Sequence, residues 1–169
     1  LYAGRLSENK GVDTIIDAMK FLNNKIHLAI IGEGDQKESL IELVKNNNLT
    51  DRIKFIDFQP RKKLWKIFNN YDTLIISTKI IEAFCLTALE AQANGLPVIY
   101  SDIGGTKDVI GKSGLMFKAG DCLDLSKKIE FLAFNFNELS KYSVLGFKNA
   151  KKYKISRIVP FLRNTKRRR

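Results

Sequence analysis

Short apolar runs alternate with segments of helical periodicity along this chain, and this alternation restricts the fold more than any other feature. The apolar runs are residues 1–3, 27–31, 53–56, 73–76, 97–100 and 114–117. The helical segments are residues 12–22, 36–46, 63–69, 86–94, 106–110, 123–134 and 139–153. Strands and helices in this rhythm predict a parallel sheet covered by helices. With right-handed crossovers, the expected fold class is α/β, a doubly wound, Rossmann-like parallel sheet.

The turns that follow the apolar runs are rich in glycine. In a doubly wound sheet, ligands bind at the carboxyl ends of the strands, where these turns lie. The turn after the first run places Arg5 and Lys10 between Gly4 and Gly11. Glycine lets the backbone approach a ligand, and a helix start adds N–H donors, so this turn suits an anion. Further glycines follow the second and fifth runs: Gly32, Gly34, Gly104 and Gly105. We expect several loops to bind one anionic ligand.

Two glutamates, Glu82 and Glu90, occupy the stretch between the fourth and fifth runs. Glu82 lies in a predicted loop, whereas Glu90 shares a helical stripe with Leu86 and Leu89 and therefore points inward. A carboxylate in that position is unfavourable unless a partner meets it. A helical side chain leans toward the start of its helix, so Glu90 can reach a ligand bound there.

One set of motifs runs through the chain in a fixed order and spacing. Its most specific members are the R-x4-K turn of Arg5 and Lys10 and the E-x7-E pair of Glu82 and Glu90. The others are Gly4, Gly11, Gly32, Gly34, Gly95 to Val98, Gly104, Gly105, Gly114, Gly120 and Asp121. With these motifs the chain resembles the C-terminal, nucleotide-sugar-binding domain of retaining glycosyltransferases of family 4, which have the two-domain GT-B fold. The resemblance covers roughly residues 1–134.

The resemblance implies a catalytic group of Arg5, Lys10 and Glu82. Arg5 and Lys10 would bind the diphosphate of the sugar donor and stabilise the negative charge on the departing nucleoside diphosphate. Glu82 would bind hydroxyls of the transferred sugar, and Glu90 would accept hydrogen bonds from the ribose. The other implied donor-binding residues are Gly4, Gly32, Gly34, Phe58, Phe84, Cys85 and Leu86. The donor would be a UDP-sugar or a GDP-sugar, and no cofactor is expected.

The implied reaction is the transfer of a hexose, with retention of configuration, to a glycan or lipid-linked acceptor. The expected role of this transfer is bacterial-type surface polysaccharide synthesis. The sequence has no D-x-D motif, so metal-independent catalysis is expected, with no metal ligands. The family places the acceptor site on an N-terminal domain that this chain lacks. We therefore expect the chain alone to be the donor domain and to be inactive by itself.

The glutamate motif departs from the family pattern. The family usually has E-G-F-G, and Ala83 and Cys85 stand here in place of its two glycines. Each added Cβ disfavours positive φ and limits how closely the backbone approaches a phosphate. Two alternatives therefore stay open. One is another GT-B-like enzyme, such as a nucleotide-sugar epimerase. The other is a non-catalytic module that binds nucleotide sugars or docks on a membrane.

Positive charge is concentrated at the C-terminus. Ten Lys and Arg lie in residues 148–169 without Asp or Glu, so this segment carries +10 of the net +11 and residues 1–147 carry +1. We expect a nucleotide-sugar-binding domain over 1–147 and a basic helix or tail over 148–169. The near-neutral body argues against a nucleic-acid-binding face. The tail suits either an anionic membrane surface or a solvated helix.

The sequence also suggests a cellular location. It contains no apolar run as long as a membrane span, and Cys85 and Cys122 lack the spacing of a disulfide or metal pair. A reducing, cytoplasmic location is therefore expected. Peripheral binding to the inner face of the membrane, through the basic tail, is one alternative within it.

Overall fold

Six parallel strands form the centre of the part of the chain that the computed structural model describes, residues 1–82 and 84–153. They are β1 (Tyr2–Ala3), β2 (Leu28–Ile31), β3 (Ile53–Ile56), β4 (Leu74–Ile76), β5 (Val98–Ser101) and β6 (Leu115–Phe117). Each lies within one residue of an apolar run that the sequence indicates. Strands that are buried on both faces, such as β2 and β5, give continuous apolar runs because neither side of the strand meets water.

Backbone hydrogen bonds order the strands β3-β2-β1-β4-β5-β6. The pairs β1–β2, β2–β3, β4–β5 and β5–β6 are all parallel. Between β1 and β4, the N–H of Ile75 donates to the carbonyl of Leu1 at 2.8 Å, and the Leu1 nitrogen donates to the carbonyl of Thr73 at 3.0 Å. The strand order therefore reverses between β1 and β4. This confirms the predicted doubly wound, Rossmann-like sheet and locates its switch point.

Seven helices accompany the strands in the described residues, and each overlaps a segment of predicted helical periodicity. They are α1 (Val12–Ala18), α2 (Lys37–Asn46), α3 (Arg61–Phe68), α4 (Leu86–Ala93), α5 (Thr106–Ile110), α6 (Cys122–Phe134) and α7 (Phe136–Lys152). The first α-helix is shorter than expected, because it ends at Ala18 and continues as a 3-10 turn over Met19–Phe21. Of the helices in the described ranges, none combines the length and the apolar character needed to cross a bilayer.

Alternate strand residues enter two hydrophobic layers on opposite faces of the sheet. On β2, Ile30 packs in the layer formed with α1, α2 and α6. Its neighbours Ala29 and Ile31 pack in the other layer, with residues of α3, α4 and α5. Successive side chains of a strand point to opposite faces, so β1 to β5 contribute to both layers. On β6, Leu115 and Phe117 enter the first layer, whereas Met116 on the other face is exposed. The strand ends, and the loops that follow them, remain accessible at one edge of the sheet.

Helix α7, the C-terminal helix of the described residues, packs against α4 and runs across the expected boundary at residue 147. Asn149 is buried, and its side-chain amide donates to Oε1 of Gln92 at 3.0 Å and to the carbonyl of Val109 at 2.9 Å. Ala150 is fully buried. Residues 148–152 therefore belong to the packed helix. The rest of the predicted basic tail, 154–169, lies outside the described residues.

Candidate functional site

A cavity of about 460 Å³ lies at the carboxyl ends of β1 and β4, at the switch point of the sheet. Its walls come mainly from the loop of residues 4–11, after β1, and the loop of residues 77–85, after β4. The lining residues are Tyr2, Ala3, Gly4, Arg5, Ser7, Asn9, Lys10, Ile76, Ser77, Thr78, Glu82, Cys85 and Thr87. The fold thus brings together five predicted site residues: Gly4, Arg5, Lys10, Glu82 and Cys85.

The loop of residues 4–11 is supported from behind by the glycines of the turn after β2. A Cβ at Gly32 would lie 1.8 Å from the carbonyl oxygen of Gly4, and one at Gly34 would lie 2.1 Å from that of Leu6. The N–H of Leu6 donates to the carbonyl of Glu33 at 2.8 Å. Neither Gly32 nor Gly34 lines the cavity, so their contribution is support of the loop that does.

The two cavity loops are tied to each other. The hydroxyl of Ser77 donates to the carbonyl of Lys10 at 2.7 Å, and the N–H of Lys79 donates to the carbonyl of Asn9 at 2.8 Å. Gly11 has a φ of +65°, and a Cβ there would lie 2.1 Å from the carbonyl oxygen of Ser77. Glycine is required at this position for its backbone conformation and for the close approach of the loops. The backbone at Lys10 is therefore anchored to the loop after β4.

An ion pair crosses between the two loops inside the cavity lining. Nζ of Lys10 donates to Oε1 of Glu82, and the two side chains are 29% and 20% exposed to solvent. Arg5 lines the same cavity and is exposed. A second pair, Lys79 with Asp13 at 2.6 Å, joins the loop after β4 to α1 without lining the cavity. Two cations and one carboxylate make the lining net positive, which suits an anionic ligand.

Glu90 is buried on α4 and has a partner that the sequence does not indicate. Its Oε1 lies 3.1 Å from Nε of Arg61, the first residue of α3. The Glu90 side chain keeps 7% of its exposure, whereas that of Arg61 keeps 62%. The expected inward position of Glu90 is correct, and the guanidinium of Arg61 is the partner that meets its charge. Glu90 does not line the cavity.

The other predicted donor-binding residues lie outside the cavity lining. Phe58, in the loop after β3, is 68% exposed, and Leu86 is exposed at the start of α4. The ring of Phe84 packs edge-on against Tyr153, with ring centroids 5.6 Å apart. Ala83 lies outside the described residues.

Cys85 and Tyr2 are buried groups in the cavity wall. Burial raises the pKa of the Cys85 thiol to about 11, so the thiol is neutral near pH 7 and fits the role of a small filler. The hydroxyl of Tyr2 donates to the carbonyl of Arg5 at 2.7 Å. Burial, and next the charge of Glu82, hold the pKa of Tyr2 far above its usual range.

Several residues of the cavity lining were not predicted from the sequence, although some of them lie at strand ends, where ligand-binding residues are expected. Ser77 and Thr78 directly follow β4, so inspection of strand ends is enough to find them. Tyr2 lies within β1, where the sequence pattern indicates only burial. Among residues 1–82 and 84–153, no three His, Cys, Asp or Glu side chains are grouped as metal ligands would be.

Domains with this fold occur in solved glycosyltransferases. The chain matches Anabaena Alr3699/HepE in complex with UDP with a TM-score of 0.85 at 19% identity, over 93% of this chain and 46% of that one. The catalytic domain of cholesterol-α-glucosyltransferase from Helicobacter pylori gives a TM-score of 0.81 at 21% identity, over 89% and 95% of the two chains. The fold is therefore that of a GT-B glycosyltransferase domain.

Sequence similarity identifies the family. Residues 1–143 match the glycosyl transferases group 1 family, and the chain belongs to it. It is 34% identical over 112 residues to the uncharacterized glycosyltransferase MJ1607 of Methanocaldococcus jannaschii. The matched region covers 65% of this chain and 28% of that protein. It is 34% identical over 116 residues to mannosylfructose-phosphate synthase of Agrobacterium fabrum, covering 62% and 25%. The chain thus spans about a quarter of the length of these relatives.

Proposed function

We propose that this chain binds the nucleotide-sugar donor of a retaining glycosyltransferase of family 4 in the cavity between its two loops. The observation that carries the proposal is the convergence of Arg5, Lys10 and Glu82 on one cavity at the switch point. Lys10 and Glu82 are 72 positions apart in the sequence, so only the fold brings them together. Family membership supports the proposal, as do the UDP and UDP-glucose in the complexes of Alr3699/HepE.

Arg5 and Lys10 suit the diphosphate of such a donor. Breaking the bond between the anomeric carbon and the diphosphate leaves negative charge on the phosphate and positive character on the sugar. Fixed cations on the leaving side stabilise that charge without reorganisation. Arg5 supplies a guanidinium that can bind phosphate oxygens in pairs, and Lys10 supplies an ammonium on an anchored loop. The exposed Gly4 leaves room beside them for the backbone to approach a phosphate.

The two glutamates suit the sugar and the ribose. Glu82 lines the cavity beside Lys10 and can accept hydrogen bonds from hydroxyls of the transferred sugar. Glu90 pairs through Oε1 with Arg61, yet a carboxylate offers about four acceptor positions, so the pair is compatible with bonds from a ribose. Phe58 and Phe84, in loops, and Leu86, at the start of α4, are exposed apolar residues and suit the remaining surface of the nucleoside.

The proposed reaction is the transfer of a hexose to a glycan or lipid-linked acceptor, without a metal ion and with retention of configuration. The acceptor would bind a further domain of the complete enzyme. Similar proteins include the O-antigen biosynthesis glycosyltransferase WclY of Escherichia coli and the amylovoran biosynthesis glycosyltransferase AmsK of Erwinia amylovora. Their names support a role in surface polysaccharide synthesis.

Calorimetric titration of the chain with UDP and GDP tests the phosphate site. Arg5→Ala and Lys10→Ala should each weaken binding roughly ten- to a hundredfold, because each removes hydrogen bonds to a charged group. Lys45→Ala is the matched control, since Lys45 is exposed on α2 and does not line the cavity. If both cavity variants bind like the parent, the phosphate assignment is wrong.

A further inference from the structure

The Lys10–Glu82 pair places the two groups proposed for phosphate and sugar in direct contact with each other. Both side chains line the cavity and both are only partly exposed. Any ligand whose phosphate approaches Lys10 therefore also comes close to the carboxylate of Glu82 and competes with it for Lys10. The other lysine of the loop after β4, Lys79, is paired with Asp13 outside the cavity lining. Glu82 is thus the carboxylate that a phosphate at Lys10 meets.

A free nucleoside diphosphate and its sugar conjugate meet this pair differently. The free diphosphate brings negative charge to Lys10, but it has no sugar beyond the phosphates to donate to Glu82. The carboxylate is then left in water or beside a phosphate. The conjugate brings the same phosphates and also the hydroxyls of its sugar, which can donate to Glu82 and replace the lost partner. Ligand affinity falls when binding deprives a partly buried charged group of its partner. The affinity recovers when the ligand itself supplies a new partner.

We infer that the Lys10–Glu82 pair makes the site discriminate the intact nucleotide sugar from the free nucleoside diphosphate that the reaction leaves behind. This inference rests on the proposed function and adds a second role for Glu82. Besides binding the sugar, Glu82 disfavours the product of transfer. The consequence for turnover is that Glu82 pairs with Lys10 again once the sugar has left. This pairing competes with the phosphate for Lys10 and promotes release of the diphosphate.

The test compares the affinities of one ligand pair, UDP and UDP-glucose or GDP and GDP-mannose, whichever the parent chain binds. Glu82→Gln keeps the size of the side chain and removes its charge. It should tighten binding of the free diphosphate roughly three- to tenfold at low salt and weaken binding of the conjugate. The gain for the diphosphate should shrink as salt is raised, because part of it is electrostatic.

Two further variants isolate the pair. Asp13→Asn removes the α1 carboxylate that pairs with Lys79 of the loop after β4, and it should leave the ratio of the two affinities near that of the parent. In a Lys10→Gln background, Glu82→Gln should no longer tighten the diphosphate, because its partner is already absent. This is a double-mutant cycle on a contacting pair.

The possible results are distinct. If Glu82→Gln weakens the conjugate and leaves the free diphosphate unchanged, Glu82 does not disfavour the free diphosphate, and the inference is overturned while the proposed donor site stands. If the variant weakens both ligands equally and also lowers the melting temperature, Glu82 is structural and the inference is overturned. If the parent chain binds neither member of either ligand pair, the proposed function fails and the inference fails with it.

Discussion

Arg61 and Glu90 form an ion pair whose two members differ greatly in burial. The Glu90 side chain keeps 7% of its exposure and Arg61 keeps 62%, so the pair spans the boundary between interior and solvent. Loss of Arg61 would leave a carboxylate in the interior without this cation, which is unfavourable. Loss of the Glu90 charge would leave a guanidinium that water can solvate. The two partners should therefore respond unequally to substitution.

Arg61→Ala should lower the free energy of unfolding by about 1–3 kcal/mol, and Glu90→Gln should lower it less. Glutamine keeps the shape of the side chain and one oxygen for Nε of Arg61. Urea denaturation of both variants measures the difference, with Arg61→Lys as the variant that keeps a cation. Equal destabilisation by the two substitutions would contradict this view of the pair.

Titrations of Glu90→Gln test its proposed role at the ribose separately from stability. Both the nucleoside diphosphate and its sugar conjugate contain the ribose, so both should bind more weakly by a similar factor. An unchanged affinity for both ligands would leave Glu90 as a purely structural residue.

Single residues of the site differ in how far the sequence predicts them. Arg5, Lys10 and Glu82 follow strand ends, and the topology of a doubly wound sheet brings such residues to one edge. Arg61 was not predicted. The helical stripe shows that Glu90 points inward, but it does not show which of the 29 Lys and Arg of the chain reaches it. That choice depends on how α3 packs beside α4.

At the scale of whole elements, the end of α7 contacts the loop that carries Glu82 and Cys85. Tyr153 directly follows α7, its ring packs edge-on against Phe84, and its hydroxyl donates to the carbonyl of Val109 at 3.5 Å. Phe84 lies in sequence between the two cavity residues. The position of α7 is thereby coupled to the shape of the cavity wall.

Tyr153→Ala should weaken binding of the nucleotide sugar about two- to tenfold, because an aromatic pair contributes roughly 0.5–1.5 kcal/mol. Tyr153→Phe keeps the ring and should bind nearly like the parent. Val144→Ala, at an exposed position on α7, is the control for a general effect on the helix. If Tyr153→Phe loses as much affinity as Tyr153→Ala, the ring contact is not what places Phe84.

The elements themselves were predicted well because their signals are local. Continuous apolar runs mark the doubly buried strands, and a 3.6-residue period marks the helices. The expected boundary at residue 147 was set by a change in composition, whereas α7 runs across that position from Phe136 to Lys152. The buried amide of Asn149 finds partners in Gln92 and Val109, which lie far from it in the sequence. Such contacts become visible only when α7 is docked on α4.

Across the whole molecule, most of the net positive charge lies in a segment far from the cavity residues in the sequence. Ten bases lie in residues 148–169, seven of them after Tyr153, whereas the cavity lining ends at Thr87. Apolar residues are interspersed with these bases: Ile155, Ile158, Val159, Phe161 and Leu162. We propose that this segment brings the donor domain to an anionic membrane surface, where a lipid-linked acceptor would reside. Membrane binding and nucleotide binding should then be separable.

Replacement of Lys166, Arg167, Arg168 and Arg169 by glutamine tests this separation without changing the length of the chain. Each base near an anionic surface contributes about 1 kcal/mol, so binding to phosphatidylserine vesicles should fall at least tenfold. Raising the salt concentration should weaken the binding of the parent in the same direction. Affinity for the nucleoside diphosphate should stay within about twofold, since every residue proposed to contact it precedes Ala91. Equal binding of the parent to phosphatidylserine and phosphatidylcholine vesicles at low salt would contradict the proposal, because only the charged surface attracts the bases.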